Sequence, residues 1–410
     1  MADPAGEPAS PLPAFLGAFT FPSFRRLWAG AFVSSVGTWM QDVALAWVIH
    51  TRFGDPIYLG LRAVAAEFPL IAFMLLGGAV ADRVDRRRIL LTSNVLQMAY
   101  AAALGILYAT GRLGIEAILL LAFLTGLTQS QSAPTYQAVL TTVVPARAIP
   151  NAVALNSLQF NLSRAVGPMI AGLLLARGGT AACFALNAAS FLAVIAALWR
   201  IEIPRRAVAA ESLARSLRTG IAHVARSPLL RELTLFGLLG SFLAFPLVTY
   251  LPVFAGDVLG TGPAGYSLLL SSYGVGAIVG AVGTAHRGHV AGRGRIMLAA
   301  LTAYGLAATG AMMARAQPLA MLLLFVAGGA LVTAFSTLNS LVQENAADEL
   351  KGRILSIYGL AFRGGMPLGS LVAGALVRSA GVPLVIGAFS LGIAALAASN
   401  LVWSRRLRAL

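Results

Sequence analysis

Asp42, Glu67, Arg164 and Arg363 each stand inside a stretch whose other residues are almost all apolar, and Arg62 stands nearer the end of one. A charge in hydrocarbon costs about 2.5–3.5 kcal/mol on insertion scales, so each of the five requires a partner or a wet cavity. Two chemistries fit the carboxylates. An acid in apolar surroundings ionises less readily, so it can load a proton on one side of a barrier and release it on the other; Asp42 and Glu67 are then proton-coupling candidates. Alternatively, each holds a permanent ion pair with Arg62 or Arg164 that cements neighbouring helices. Arg164 and Arg363 either attract an anionic substrate or supply the acids with counter-charge. Arg62 can snorkel to the end of its stretch and is read as structural.

Uncharged polar and aromatic residues recur at helical spacing in the same stretches. Thr125, Gln129, Ser132 and Tyr136 form one stripe, Ser157, Asn161 and Arg164 a second, and Ser336, Asn339 and Gln343 a third. Phe242, Phe245 and Tyr250 present an aromatic surface suited to a bulky, partly apolar ligand. Each stripe equally fits ordinary hydrogen bonding and packing between helices.

The elements that must position these groups follow from composition. Of 410 residues, 58% are hydrophobic and 11% charged, and the mean hydropathy is +0.81, so lipid is the solvent. Isolated strands are excluded there, because unpaired backbone groups in lipid cost several kcal/mol each. Apolar runs predict an all-α integral membrane protein with twelve transmembrane helices, at about 26–51, 58–82, 88–110, 114–138, 149–176, 180–200, 229–255, 263–285, 294–314, 318–343, 351–377 and 381–403. At about 1.5 Å per residue, Arg164 and Arg363 fall near helix centres, with Asp42 and Glu67 about 5 Å to the outer side.

With the N-terminus inside, 22 of the 30 Lys and Arg fall on the cytosolic side and five on the other, which places both termini in the cytoplasm. Scattered in this way, the net charge of +15 reports topology and gives no nucleic-acid surface. The single cysteine, Cys183, permits no internal disulfide. Residues 1–23 lack a basic start and read as a cytosolic tail, 24–201 and 229–404 as two six-helix bundles, and 405–410 as a second tail. The connection 202–228 carries Leu213, Leu217, Ile221 and Val224 at helical spacing beside Arg215, Arg218 and Arg226, which predicts an amphipathic helix on the inner leaflet. Arg164 and Arg363 each have a proline four residues later, Pro168 and Pro367, with Gly167 and Gly172 or Gly365 and Gly369 nearby; this supports two equivalent halves.

The most specific local pattern runs from Gly78 through Asp82, Arg83, Asp85, Arg86, Arg87 and Arg88. It resembles the loop between helices two and three of the major facilitator superfamily, whose general motif has Gly where Asp85 stands. Residues 150–172 and 350–374 resemble the branch of enterobactin and macrolide exporters, drug:proton antiporters and transmembrane secretion effectors, and the likeness covers essentially the whole chain. The resemblance implies the major facilitator fold, two pseudo-symmetric six-helix bundles with helices one, four, seven and ten around a central cavity. In the superfamily the Asp of this loop, here Asp82, locks the two halves at the cytoplasmic face, which makes Gly78, Asp82, Arg83, Arg86 and Arg87 a candidate cytoplasmic gate, with Arg147 able to pair with Asp82; the alternative, preferred for the arginines, is that these charges only hold the loop in the cytoplasm. Gly167, Pro168 and Gly172 resemble the helix-five antiporter motif, with Ser163 where a further Gly is common.

Other patterns carry no chemistry. His286 and His289 occupy a basic turn without a companion carboxylate or thiol, so no metal site is expected. Gly274, Gly276 and Gly280 lie in an apolar helix without a nearby Lys, which argues for close helix packing over a phosphate loop. With neither a nucleophile elbow nor a paired-histidine motif, an enzyme has nothing to stand on. The expectation is a proton-coupled exporter of a small siderophore- or drug-like molecule in a bacterial inner membrane, without cofactor and acting as a monomer. Its partners are the substrate, protons and a bilayer with anionic lipids at the cytosolic face. The alternatives are a facilitator or uptake carrier for an organic anion and a transport-inactive sensor or scaffold.

Overall fold

The computed structural model describes residues 14–81, 85–201, 213–287, 292–408 and 410, and among these it is helical throughout, without strands. The first six long helices are α1 (Pro22–Phe53), α2 (Ile57–Ala81), α3 (Arg86–Ala109), α4 (Ile115–Leu140), α5 (Ile149–Leu175) and α6 (Thr180–Trp199). After the connecting helix α7 (Leu213–Arg226) come α8 (Pro228–Ala244), α9 (Pro246–Val253), α10 (Gly262–Arg287), α11 (Arg293–Met313), α12 (Gln317–Asn345), α13 (Lys351–Ala380), α14 (Val382–Trp403) and the short α15 (Arg405–Arg408). Among the described residues nine helical stretches are long and apolar enough to cross a bilayer. The carriers of two polar stripes, α4 and α5, are as long, at 26 and 27 residues.

Local chemistry sets the ends. Proline stands in the first turn of α1, α5, α8, α12 and α14, where its missing N–H costs nothing. Gly54 closes α1 at φ 73, donating its N–H to the His50 carbonyl, a left-handed cap that glycine adopts without strain. Asp85 is the N-cap of α3, accepting a 2.9 Å hydrogen bond from the Arg87 backbone N–H. The residue that departs from the superfamily motif thus satisfies an otherwise orphaned helix donor.

The structure breaks one expected helix and adds contacts to two other segments, while the helix expected in the connection is formed at Leu213–Arg226. The seventh apolar segment is broken: Pro246 cannot donate to Phe242 O, and the Val248 N–H turns to Phe245 O at 3.1 Å. The freed Ala244 carbonyl accepts from Tyr304 Oη at 2.7 Å, and the segment continues as α9 and a π-helical turn, Phe254–Val258. Within the span read as a tail, Ala14–Thr20 forms a 3₁₀ helix docked on α5, its Ala18 N–H donating to Asn151 Oδ1 at 2.7 Å. The connecting helix also docks on protein. Gly220 and Val224 of α7 are buried, Gly220 facing Arg353 and Ile357 of α13, whereas Ile221 is exposed.

Neighbour relations recur along the chain. In the first half α1 packs on α5 and α6, α6 on α3, α3 on α4, and α4 on α2; in the second α8 packs on α13 and α14, α14 on α11, α11 on α12, and α12 on α10. Two seams join the halves, α2 with α13 and α5 with α10, and each seam is the counterpart of the other in this repeat. Both described chain ends lie at one end of the helices, here the terminal end; the opposite end is distal. Apolar side chains such as Ile106, Leu120, Leu173, Leu322 and Leu384 are exposed on the outer surface, as a lipid solvent requires.

Gly276 and Gly280 let α10 lie directly on α12, where a Cβ would collide with the carbonyl oxygens of Phe325 and Gly329. Gly283, one turn on, faces open space. Gly276→Val should therefore cost about 1–3 kcal/mol through overpacking. Gly283→Ala should be neutral or add about 0.5–1 kcal/mol from helix propensity. Unfolding of the purified protein in detergent reads both, and equal effects would contradict the packing.

Candidate functional site

Charges at mid-helix are matched across helices. Arg62 of α2 forms an ion pair with Asp42 of α1, entirely within the first half. Glu67 of α2 accepts from Arg363 of α13 at 3.3 Å, a pair that crosses between halves. Both pairs are partly exposed, with side-chain exposures of 23% for Arg62, 39% for Asp42, 43% for Arg363 and 26% for Glu67. Asp42 thus finds the first of its expected partners and Glu67 finds neither, because α2 adjoins α13 and not α5. Arg62 is tied to Asp42 and does not simply snorkel.

Arg164 has a different setting. Its guanidinium carbon lies 5.5 Å from the centroid of Trp39 on α1 and 5.3 Å from that of Tyr273 on α10, a cation held between two rings. Its Nε is buried without a hydrogen-bond partner. The seams explain the contrast. Arg164 and Arg363 are counterparts, and so are the residues they meet on α10 and α2, since Tyr273 and Glu67 stand at matching depths in helices that begin at Gly262 and Ile57. One seam holds a carboxylate where the other holds an aromatic ring.

The seams close at the distal end. A Cβ on Gly374 would lie 3.1 Å from Ile57 Cα, and one on Gly172 would lie 2.6 Å from Ser267 Cβ. Three contacts between the halves reinforce this closure: His50 Nε2 with Asp257 at 3.4 Å, Arg378 with Asp55 at 3.5 Å, and Trp47 stacked on Tyr266 at 6.3 Å. Along α5, Val153, Ser157 and Phe160 are exposed, whereas Pro168, Ala171 and Leu175, which continue the same face, are buried. Arg164 lies at the boundary. The space between the halves therefore opens toward the terminal end and is shut distally.

Its second-half wall is aromatic. Phe245, at the break between α8 and α9, meets Phe362 at 5.7 Å and Phe335 at 6.3 Å, and Phe335 meets Phe362 at 4.9 Å. Tyr250 does not belong to this wall. It is fully buried and donates to the Ser370 carbonyl at 2.6 Å beside Gly60 and Gly374, so it is part of the distal closure. Asn339 and Ser336 are exposed on α12 and Gln129 is half-buried on α4. Asn161 spends its amide on the Ser157 carbonyl at 2.8 Å. Tyr136 packs into the core at the terminal end with its hydroxyl buried and unpartnered. Gly167 and Pro168 are buried in α5, with Gly167 against Val36 and Trp39 of α1.

Of the expected gate, Asp82 and Arg83 lie outside the described residues. Gly78 falls in the last turns of α2, and Arg86 opens α3. Arg87 donates to the Trp199 carbonyl at 2.6 Å, tying α3 to α6. Arg147 sits in the short turn Ala146–Ala148 before α5. Sequence reasoning missed Trp39, Tyr273, Phe335 and Phe362. The available signal was the position of Phe335 one turn before Asn339.

The family model described as transmembrane secretion effector matches residues 14–409. The chain belongs to that family. The chain is accordingly a multi-pass membrane transporter of the major facilitator superfamily, not an enzyme. It is 28% identical over 381 residues to the multidrug efflux pump Tap of Mycolicibacterium fortuitum, covering 90% of this chain and 91% of that one. To the staphyloferrin A transporter of Staphylococcus aureus it is 28% identical over 153 residues, 37% of this chain and 38% of the other. The crystal structure of the nucleoside transporter NupG shares its fold, with a TM-score of 0.74 at 13% identity over 93% of this chain and 99% of that one.

If the Asp42–Arg62 pair serves mainly to neutralise charge within one half, removing one partner should hurt more than removing both. Asp42→Asn should cost about 1–3 kcal/mol by stranding Arg62, and adding Arg62→Gln should restore part of that loss. A double-mutant cycle of unfolding in detergent tests this, and strictly additive losses would contradict it.

Proposed function

We propose that the chain is a proton-coupled exporter of small organic molecules, crossing a bacterial inner membrane twelve times in two six-helix bundles with both termini in the cytoplasm. On this reading the terminal end is cytosolic, and the arrangement described above is the one that loads cargo from the cytoplasm. Both the multidrug pump and the staphyloferrin A transporter among its relatives support a small-molecule cargo, the former supports export, and the recurrent neighbour pattern supports two halves that rock about a central site.

The observation that carries the coupling is the Glu67–Arg363 pair, the mid-helix carboxylate contact that crosses between halves. Asp42 pairs within its own half, so rocking leaves its partner in place. Around Glu67 the charged groups are Arg363 on α13, Asp42 on α1 and Arg62 on α2 itself; α4 contributes no charge beyond Glu116 in its first turn. While the distal seam is shut, Arg363 holds Glu67 in an ion pair, and a proton carried on Glu67 is displaced toward the cytosol. When the seam parts, Glu67 loses that cation and takes up a proton from the other side. Proton entry is thereby tied to the opposite conformational step from cargo exit, as antiport requires.

Inverted membrane vesicles test the assignment, using a compound first identified by thermal stabilisation of the purified protein. A pH gradient should drive accumulation in the wild type. Glu67→Gln should reduce the gradient-driven ratio by roughly 5- to 150-fold, the span of a coupling of about 1–3 kcal/mol, while counterflow without a gradient persists. Accumulation independent of the gradient would remove the coupling, and full activity of Glu67→Gln would remove Glu67 from it.

A further inference from the structure

We propose that Arg164 is the docking point for an acidic group of the cargo, and that the transported class includes organic acids with a flat, apolar body. The inference deepens the export reading and rests on it. Its starting point is a charge count within these helices: three guanidinium groups, from Arg62, Arg164 and Arg363, face two carboxylates, from Asp42 and Glu67, and both carboxylates are taken by Arg62 and Arg363.

No further carboxylate is at hand. The elements packed against α5 are α1, α6, α10 and the turns at 14–20 and 146–148. Of these, α6, α10 and the two turns contain no acidic residue, and α1 contains only Asp42. Arg164 instead meets the rings of Trp39 and Tyr273 and interacts with the Tyr273 hydroxyl, all of which are neutral groups that answer a cation weakly compared with a carboxylate, and its buried Nε has no acceptor. A guanidinium so placed presents fixed donors that match a carboxylate in geometry and charge.

Access and shape agree with this assignment. Arg164 lies where the exposed face of α5 becomes buried, at the floor of the space open to the terminal end, and the exposed Ser157 leads toward it. The rings of Trp39 and Tyr273 flank the cation, with Phe160 5.9 Å from Trp39. An aromatic acid can set its carboxylate on Arg164 while its ring lies against these side chains. The counterpart Arg363 cannot serve in this arrangement, because Glu67 occupies it.

The test is equilibrium binding to the purified full-length protein in lipid nanodiscs, with no gradient present, so that its outcome is separate from that of the coupling experiment. The probes are 2-naphthoate, its neutral amide 2-naphthamide and the cation 2-naphthylmethylammonium. The expected result is naphthoate binding to the wild type, weakened by about tenfold or more in Arg164→Gln, with Arg164→Lys intermediate and the amide and the ammonium both much weaker ligands. The unliganded melting temperature of each variant checks folding, and Arg62→Gln, which leaves Arg164 untouched, should retain naphthoate affinity. Failure of naphthoate to bind, equal binding to wild type and a folded Arg164→Gln, or preference for the ammonium would each overturn the proposal. If Asp42→Asn raises naphthoate affinity tenfold, Asp42 already neutralises Arg164, and the proposal also fails.

Discussion

A charge placed between hydrocarbon walls must be answered by another charge, by water or by a ring, and the interior of this transporter is arranged around that demand. Glu67 and Arg363 answer each other across a seam between halves, Asp42 and Arg62 within one half, and Arg164 by two aromatic faces. Because the backbone approaches closely at Gly172, Gly374 and Gly60, the seams shut tightly at the distal end, and they carry these groups at the depth where the shut region gives way to the open one. A different choice of small residues would hold the helices apart and leave the charges unanswered.

The two seams are built on the same plan and differ in one functional respect. Arginines at matching positions meet a carboxylate on one side and a tyrosine on the other, so a symmetric frame is chemically unequal. The contact in one seam contains an acid, which is the basis of the proposed proton coupling. The other retains a cation that an acidic ligand can satisfy. On the proposed reading, proton and cargo occupy separate seams, and the rocking of the halves links them.

Much of this was legible in the residues and much was not. Apolar runs disclosed the long helices to within a few residues, and the spacing of Arg164 to Pro168 and Arg363 to Pro367 disclosed the repeat, because both follow from local composition. The five ionisable residues were recognisable as exceptional, since few charges occur at such depth. Their pairing was not recognisable, because it depends on which helices adjoin: Glu67 meets Arg363 only because α2 lies on α13. Tyr250 read as part of an aromatic lining and proved to be a buried hydrogen-bonding side chain, a distinction made by the close approach of Gly60 and Gly374 from two other helices. Pro246 was the visible sign that the seventh segment breaks, but where the broken carbonyl turns is decided by Tyr304, sixty residues away.

On the proposed reading, the Glu67–Arg363 ion pair helps to hold the distal seam shut. This claim is tested most directly by the distance across the distal end as a function of pH, measured with spin labels at the exposed turn positions Arg112 and Arg315 in a Cys183→Ser background in nanodiscs. The account predicts that acidification moves the population from the short to the long distance, and that Glu67→Gln shows the long distance at both neutral and acidic pH. A distance distribution that responds neither to acid nor to Glu67→Gln would contradict it.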